Sequence, residues 1–384
     1  NKGYFVNTTS NACTVTLPAS PDVGDQVILL DYARTWDTNA ITIDSNGNNF
    51  QGEEDSYIVD YDTEGQGINI VYSGSTNGWI PNSDIANALT PVAPVTQRAL
   101  FAFGSTGSLT SVKNLVNSSG VVASDVTGVG TARYGLAASS YGGDKAIFAY
   151  GYTSGYVSMS NLVNNSGVVA ADVSGVGSAR SGLGSSAYGG DKAIFGFGST
   201  GSYVSLTNLV NASGVIGADV TGVGTARFGI TATEYGGDKG IFGFGFTAAE
   251  NLTGVTNLIS NSGVVASDVS AVGTARRYAA AAPYGGDKGI FAYGNTSGGG
   301  NVSMSNLVSN SGVVASDVSG VGTAREHPAA TNYGGDKAIF GFGNSGSVTG
   351  VTNLVNNSGV IAADVSAVGT ARDSLAAAGY SYSA

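Results

Sequence analysis

Short apolar runs follow one another along the chain, each of strand length, and turns rich in Gly, Asn and Asp separate them. After Arg133 the order is GLAASSY, GGD, KAIFAYG, a short loop, VSMSNLVN, NSG and VVASDVSGVG. Alternating or continuous apolar runs bounded by such turns are typical of β-strands, and few helix signals accompany them. We therefore predict an all-β protein.

The same strand pattern recurs six times over residues 98–384. An Arg in the sequence T/S-A-R marks each copy, at intervals of 47 to 49 residues: Arg133, Arg180, Arg227, Arg276, Arg325 and Arg372. An Asp recurs at a similar spacing, at positions Asp125, Asp172, Asp219, Asp268, Asp317 and Asp364. A repeat of this length with four predicted antiparallel strands is typical of one sheet of a ring of sheets. We expect the repeated Arg and Asp to form ion pairs or cap turns within this scaffold.

The order of features in each copy resembles the kelch blade: an Arg before the first strand, a glycine pair, then an aromatic second strand that ends in Gly. The glycine pair precedes the second strand here, and the usual tryptophan near the fourth strand is absent. The resemblance implies a six-bladed kelch-like β-propeller. The first copy begins at its second strand, 98–104, and the chain ends on a first-strand sequence, 374–384. The C-terminal strand is therefore expected to close the ring and remove its free sheet edges.

Residues 1–88 form a separate predicted β domain, followed by a linker at 89–97. VTLPASP, VGDQV, an Asn-Gly turn and a terminal GW occur in this order. In this respect the domain resembles a β module of tail fibres and other virion proteins of tailed bacteriophages. The resemblance implies a structural or adhesive role in the virion, contacts with other virion subunits, and homo-oligomers, often trimers, formed through this domain.

Charge and residue usage narrow the chemistry. Residues 1–90 carry 12 Asp and Glu against 2 Lys and Arg, whereas residues 91–384 carry 15 against 14. No basic stripe or long apolar run is present, so neither nucleic-acid binding nor membrane insertion is expected. The chain has one His and one Cys, so it lacks the side chains from which most metal sites and nucleophilic triads are built. We therefore expect no cofactor. Carboxylates at 53–64 suit either a solvated loop, which we favour, or calcium. The absence of an initial Met favours an upstream segment.

Loop positions that differ between copies are the candidates for binding. They follow the repeated Arg or the second strand, and in a kelch-like blade both loops lie on one face. A lone loop histidine such as His327 is expected to be exposed. The candidate ligand-binding residues are Tyr134, Tyr152, Phe228, Phe246, Arg277, Tyr278, Glu326 and His327.

The leading hypothesis is a non-enzymatic bacteriophage tail fibre or related adhesin, located on the virion surface. Its propeller face would bind a host-surface glycan or protein. A purely structural or decorative virion component is the close alternative. A polysaccharide-degrading enzyme is third, because Glu250, Glu326 and Asp373 lie on three different repeats and no sequence feature pairs them.

Overall fold

The protein is described by a computed structural model that covers residues 2–55, 57–82, 97–249, 251–298 and 300–381. Within these residues it contains strands, turns and loops but no helix, so the all-β prediction is confirmed. The chain divides into two compact units, 1–94 and 95–384. All of the predicted linker except Gln97 lies outside the described residues, and Gln97 is the first residue of a strand. No helix in this part of the chain has the length and apolar character of a membrane span.

The first unit packs two sheets around one core. One sheet has the order β1-β3-β6-β7 and the other the order β2-β4-β5. Trp36 and Trp79 are fully buried between them, together with Ile41, Tyr61 and Ile70. The strands are β1 (Lys2–Val6), β2 (Cys13–Thr16), β3 (Gln26–Asp31), β4 (Ile41–Asp44), β5 (Val59–Tyr61), β6 (Gly67–Tyr72) and β7 (Trp79–Pro81).

The second unit contains six three-stranded antiparallel sheets among its described residues, an arrangement consistent with a β-propeller-like fold. The second strand of each sheet is almost wholly buried, because neighbouring sheets cover both of its faces. In strand order the sheets are β25 (Ala376–Ser381), β8 (Gln97–Ala102) and β9 (Lys113–Val116); β10 (Ala137–Tyr141), β11 (Lys145–Ala149) and β12 (Ser160–Val163); β13 (Gly184–Tyr188), β14 (Lys192–Gly196) and β15 (Thr207–Val210); β16 (Thr231–Tyr235), β17 (Lys239–Gly243) and β18 (Thr256–Ile259); β19 (Ala280–Tyr284), β20 (Lys288–Ala292) and β21 (Ser305–Val308); β22 (Ala329–Tyr333), β23 (Lys337–Gly341) and β24 (Thr352–Val355).

We call β25, β10, β13, β16, β19 and β22 the first strands. Each contacts the next in this order, and β22 contacts β25. Their residues are mostly Ala, Gly, Ser and Thr, whose small side chains let neighbouring first strands lie close together. Strand β25 pairs with β8 from Ala376 opposite Ala102 to Ser381 opposite Gln97, so the two ends of the second unit share a sheet.

The fourth strand that the sequence predicts in each repeat is not a regular strand. In the first sheet it is a segment joined to β9 by two single bridges, Val116 with Val122 and Lys113 with Val126. Between these bridges the Asn114 side chain donates to the carbonyl of Ala123 and to Asp125. A side chain therefore replaces part of the backbone ladder at this position.

Candidate functional site

Six residues with left-handed backbone link the first strands at one end. They stand two positions after each repeated Arg, with φ between 51° and 63°: Gly135, Gly182, Gly229, Tyr278, His327 and Ser374. The N–H of each donates to the carbonyl of the one before it, and Gly135 donates to Ser374, over distances of 2.8 to 3.2 Å. These bonds form a cycle, which we call the hydrogen-bond ring. Glycine adopts this conformation at little cost, whereas other residues are strained there by about 1 kcal/mol or more.

A cavity of about 350 Å³ lies at the hydrogen-bond ring, and all six first-strand segments line it. Below the ring its wall is apolar, because the next residue of each segment is apolar: Leu136, Leu183, Ile230, Ala279, Pro328 and Leu375. This volume falls at the lower end of the range for small-molecule sites, about 300–1,000 Å³. We call it the loop-face cavity.

The structure brings four of the predicted site residues to the loop-face cavity and leaves four outside its wall. Those that line it are Tyr134, Phe228, Tyr278 and His327. Those that do not are Tyr152, Phe246, Arg277 and Glu326. The two predicted loop sets do meet, since Tyr134 pairs with Tyr152 and Phe228 with Phe246 in antiparallel bridges.

Tyr278 and His327 form the most distinctive contact at the rim. Their rings are stacked with centroids 3.7 Å apart and an interplanar angle of 24°. His327 is half-buried, so the expectation of an exposed loop histidine was wrong, and the reason is this packing on Tyr278. Burial lowers the pKa of His327, and Arg277 lowers it further while Asp373 raises it. The imidazole is therefore neutral near pH 7.

Charged groups flank this stacked pair. The guanidinium of Arg277 lies 5.1 Å from the Tyr278 ring centroid and 5.3 Å from that of Phe246. Burial raises the pKa of the Glu326 carboxyl, Arg277 lowers it and Asp373 raises it. One side of the rim thus combines a cation, two carboxylates and two rings, whereas Gly135 and Gly182 supply no side chain at the equivalent ring positions on the opposite side.

An aromatic cluster joins two of the lining residues to rings behind the cavity wall. Phe228, Phe246 and Tyr278 make edge-to-face contacts with centroids 5.4 to 6.2 Å apart. Tyr203, which sequence reasoning missed, stacks on Phe228 at 5.6 Å. Phe246 is only 4% exposed and packs within this cluster, outside the wall of the loop-face cavity. Gly182 and Gly229 make room for these rings, since a Cβ at either would collide with Phe228 or Tyr278.

The repeated Arg residues belong to the scaffold. Arg180 is fully buried and donates to the carbonyls of Phe197 and Ser178 and to Oδ1 of Asn208. Its guanidinium also lies 4.2 Å from the Tyr150 ring of the preceding sheet. The Asp219 carboxylate, 4.0 Å from the guanidinium, accepts hydrogen bonds from the backbone and hydroxyl of Ser178 and from the Asn208 side chain. The predicted ion pair is therefore a long contact, and turn capping is the main role of the Asp.

In the described residues, no group of three or more His, Cys, Asp or Glu side chains is placed so that it could hold a metal ion. In the acidic segment, Asp55 accepts from Ser45, Asp60 accepts from Thr42, and Glu64 pairs with Arg34 at 3.0 Å. These carboxylates thus serve different local contacts. Glu250 lies outside the described residues.

Comparison with known proteins gives no family assignment. No family model matches the chain, and no curated protein matches it. A solved structure titled "Structure of YjhT" matches with a TM-score of 0.49 and 11% sequence identity. The match covers 64% of this chain and 87% of that one.

Proposed function

We propose that the protein is a non-enzymatic adhesin of a tailed-bacteriophage virion and that its loop-face cavity binds a host-surface glycan. The observation that carries this proposal is the asymmetry of the cavity rim. Stacked Tyr278 and His327 stand on one side, and Gly135 and Gly182 stand on the other. Side chains in strained left-handed backbone, where equivalent positions hold Gly, are a recognised mark of functional sites.

The architecture proposed for the second unit is a six-bladed propeller closed by its C-terminal strand. Three observations support it: the six three-stranded sheets, the pairing of β25 with β8, and the cyclic hydrogen-bond ring. In such a ring, only the central cavity receives side chains from every blade. A change in one repeat is therefore enough to make the cavity asymmetric.

The rim chemistry fits a sugar. A pyranose has an apolar face that packs on an aromatic ring and hydroxyls that need donors and acceptors. Tyr278 and His327 supply the rings, and the neutral imidazole supplies one donor and one acceptor. Arg277 and Glu326 lie beside them as polar partners for groups that project from the cavity.

The first unit supports the virion assignment through its resemblance to fibre modules and through its surface. Phe5 and Tyr32 are 74% and 66% exposed, and their ring centroids lie 6.2 Å apart. Large exposed aromatic pairs of this kind suit contacts between subunits. We propose that this unit, not the second, forms the homo-oligomer and contacts other virion subunits.

A glycan array probed with the intact chain tests the proposal, with Tyr278→Gly as the informative variant. Glycine stands at three of the equivalent ring positions, so this substitution removes the ring without straining the backbone. We expect the variant to lose at least tenfold in affinity for the glycan that wild type retains. Tyr156→Ala is the matched control, because Tyr156 is exposed and does not line the cavity.

Two outcomes would contradict the proposal. Equal glycan binding by wild type and Tyr278→Gly would remove the loop-face cavity as the site. Failure of wild type to bind any glycan or the surface of host cells would favour the structural, decorative role.

A further inference from the structure

A second, smaller cavity lies farther along the first strands. Its volume is about 60 Å³, and residues of all six first strands line it. It shares Ala138, Ser185, Ala232, Ala281, Ala330 and Ala377 with the loop-face cavity. The two cavities therefore meet at a collar of small side chains, and the smaller one has room for an ion and a few waters. We call it the inner cavity.

The inner cavity is lined by five of the six residues that precede the final Tyr of a first strand, Gly379 being the sixth. In the order in which the strands contact one another, these positions are Gly379, Ser140, Ala187, Glu234, Pro283 and Asn332. Every second position thus has an oxygen-bearing side chain: a hydroxyl, a carboxylate and an amide. The positions between them hold Gly, Ala and Pro, which have no polar side-chain atom. Ser140, Glu234 and Asn332 all line the cavity.

We infer that the inner cavity binds a single hard cation through oxygen ligands from Ser140, Glu234 and Asn332. Carboxylate, amide and hydroxyl oxygens are the donors that hard cations such as Ca²⁺ and Na⁺ take, with water completing the coordination. The three residues lie on alternating strands and so line the cavity from different sides. The Ser140 hydroxyl donates its proton to the carbonyl of Gly379 at 2.9 Å, which leaves its lone pairs for a cation. Ca²⁺ suits the site better than Mg²⁺, because a mixed set of this kind lacks strict octahedral geometry.

The charge at this position also calls for a cation. No ion pair to Glu234 occurs within the described ranges, and the nearby Lys239 is bound to Asp238 at 2.9 Å. Burial and the negative charge of Asp238 raise the pKa of the Glu234 carboxyl to about 7. An ionised carboxylate in such a place is unfavourable until a positive charge compensates it.

Isothermal titration calorimetry of the full chain tests the inference, after dialysis against a chelator and with CaCl₂, MgCl₂ or NaCl as the titrant. We expect one Ca²⁺ per chain, with weaker binding of Mg²⁺. Glu234→Gln keeps the side-chain shape and should abolish this binding. Asn332→Asp adds a second carboxylate and should tighten Ca²⁺ binding by tenfold or more. Saturation by NaCl with no response to CaCl₂ would identify the cation as Na⁺.

Asp62→Asn is the matched control, because it removes one carboxylate from the acidic segment of the first unit, where calcium was the alternative. It should leave the inner-cavity isotherm unchanged. Two results would overturn the inference: no binding of any of the three cations by wild type, or identical isotherms for wild type and Glu234→Gln.

Discussion

Replacing one repeated Arg by Ala is predicted to destabilise the second unit strongly. In Arg180→Ala, the substitution removes the donor to the carbonyls of Phe197 and Ser178 and to Asn208 Oδ1, at 3.0, 3.1 and 2.7 Å. It also uncovers the Tyr150 ring that the guanidinium covers. The acceptors stay buried without their partner, and a void the size of the side chain remains.

The expected loss in the free energy of unfolding is about 3–5 kcal/mol. This is the usual cost of removing one partner from a buried, hydrogen-bonded charge network. For a unit of this size it corresponds to a fall in the melting temperature on the order of 10 °C. Thermal and urea unfolding, followed by circular dichroism, measure both quantities.

Lys192→Ala is the control for Arg180→Ala. Lys192 pairs with Asp191 at 2.8 Å, but its side chain is 43% exposed, so its removal should lower the melting temperature far less than Arg180→Ala does. If Arg180→Ala costs no more than Lys192→Ala, the buried Arg contacts are not a main source of stability. The scaffold role assigned to all six repeated Arg residues would then be refuted.

Three further predictions follow from the same structure. Deletion of 374–384 removes β25, which includes the buried Ala376, Ala378 and Tyr380. The truncated protein should aggregate or show a large fall in melting temperature. A monomer with an unchanged melting temperature would exclude closure by this strand. Residues 97–384 expressed alone should be monomeric in light scattering, and stable oligomers would contradict the assignment of subunit contacts to the first unit. In cation-free buffer, the protonated Glu234 carboxyl favours the folded state, because its pKa is raised from 4.5 to about 7 on folding. This contribution to stability is fully present below about pH 4.5 and is lost as the pH rises through about 7, by at most about 3 kcal/mol. Asp238, paired with Lys239, is the charged neighbour, and the facing positions on the other first strands are uncharged. Glu234→Gln should remove this pH dependence in chemical unfolding, and an unchanged pH profile would show that another group causes it.

Much of the fold is visible in the repeat itself. Turn glycines, the aromatic second strand and the small residues of the first strand predict an all-β chain of small sheets, and the structure has them. The fourth strand was overestimated, because the run after Asn117 is apolar enough for a strand, whereas the Asn114 side chain binds its backbone. Strand propensity does not predict that a side chain will take the place of backbone hydrogen bonds between two strands.

The site was predicted less well, because sequence variability marks a loop position without giving its burial. Tyr134 and Phe246 both stand at positions that vary between copies, yet Tyr134 is 37% exposed and Phe246 only 4%. This difference in exposure depends on glycines in adjacent repeats, chiefly Gly182 and Gly229, which let aromatic rings from different repeats pack together. Packing between repeats is set by the tertiary structure, and the local sequence around each residue does not predict it.

Glu234 shows why repeat position matters more than residue type. Its strand carries the same Tyr-Gly-Gly-Asp-Lys tag as four of its five counterparts, and nothing in the local sequence distinguishes this one carboxylate from the others in the chain. Aligning the six copies on their final Tyr, however, places Ser140, Glu234 and Asn332 at alternating positions around one cavity. A side chain on the outer edge of a repeat, such as Val121, forms part of a surface that recurs six times. Side chains that face the centre contribute to a single shared site, so departures from the repeat there combine into a binding geometry that no individual repeat encodes.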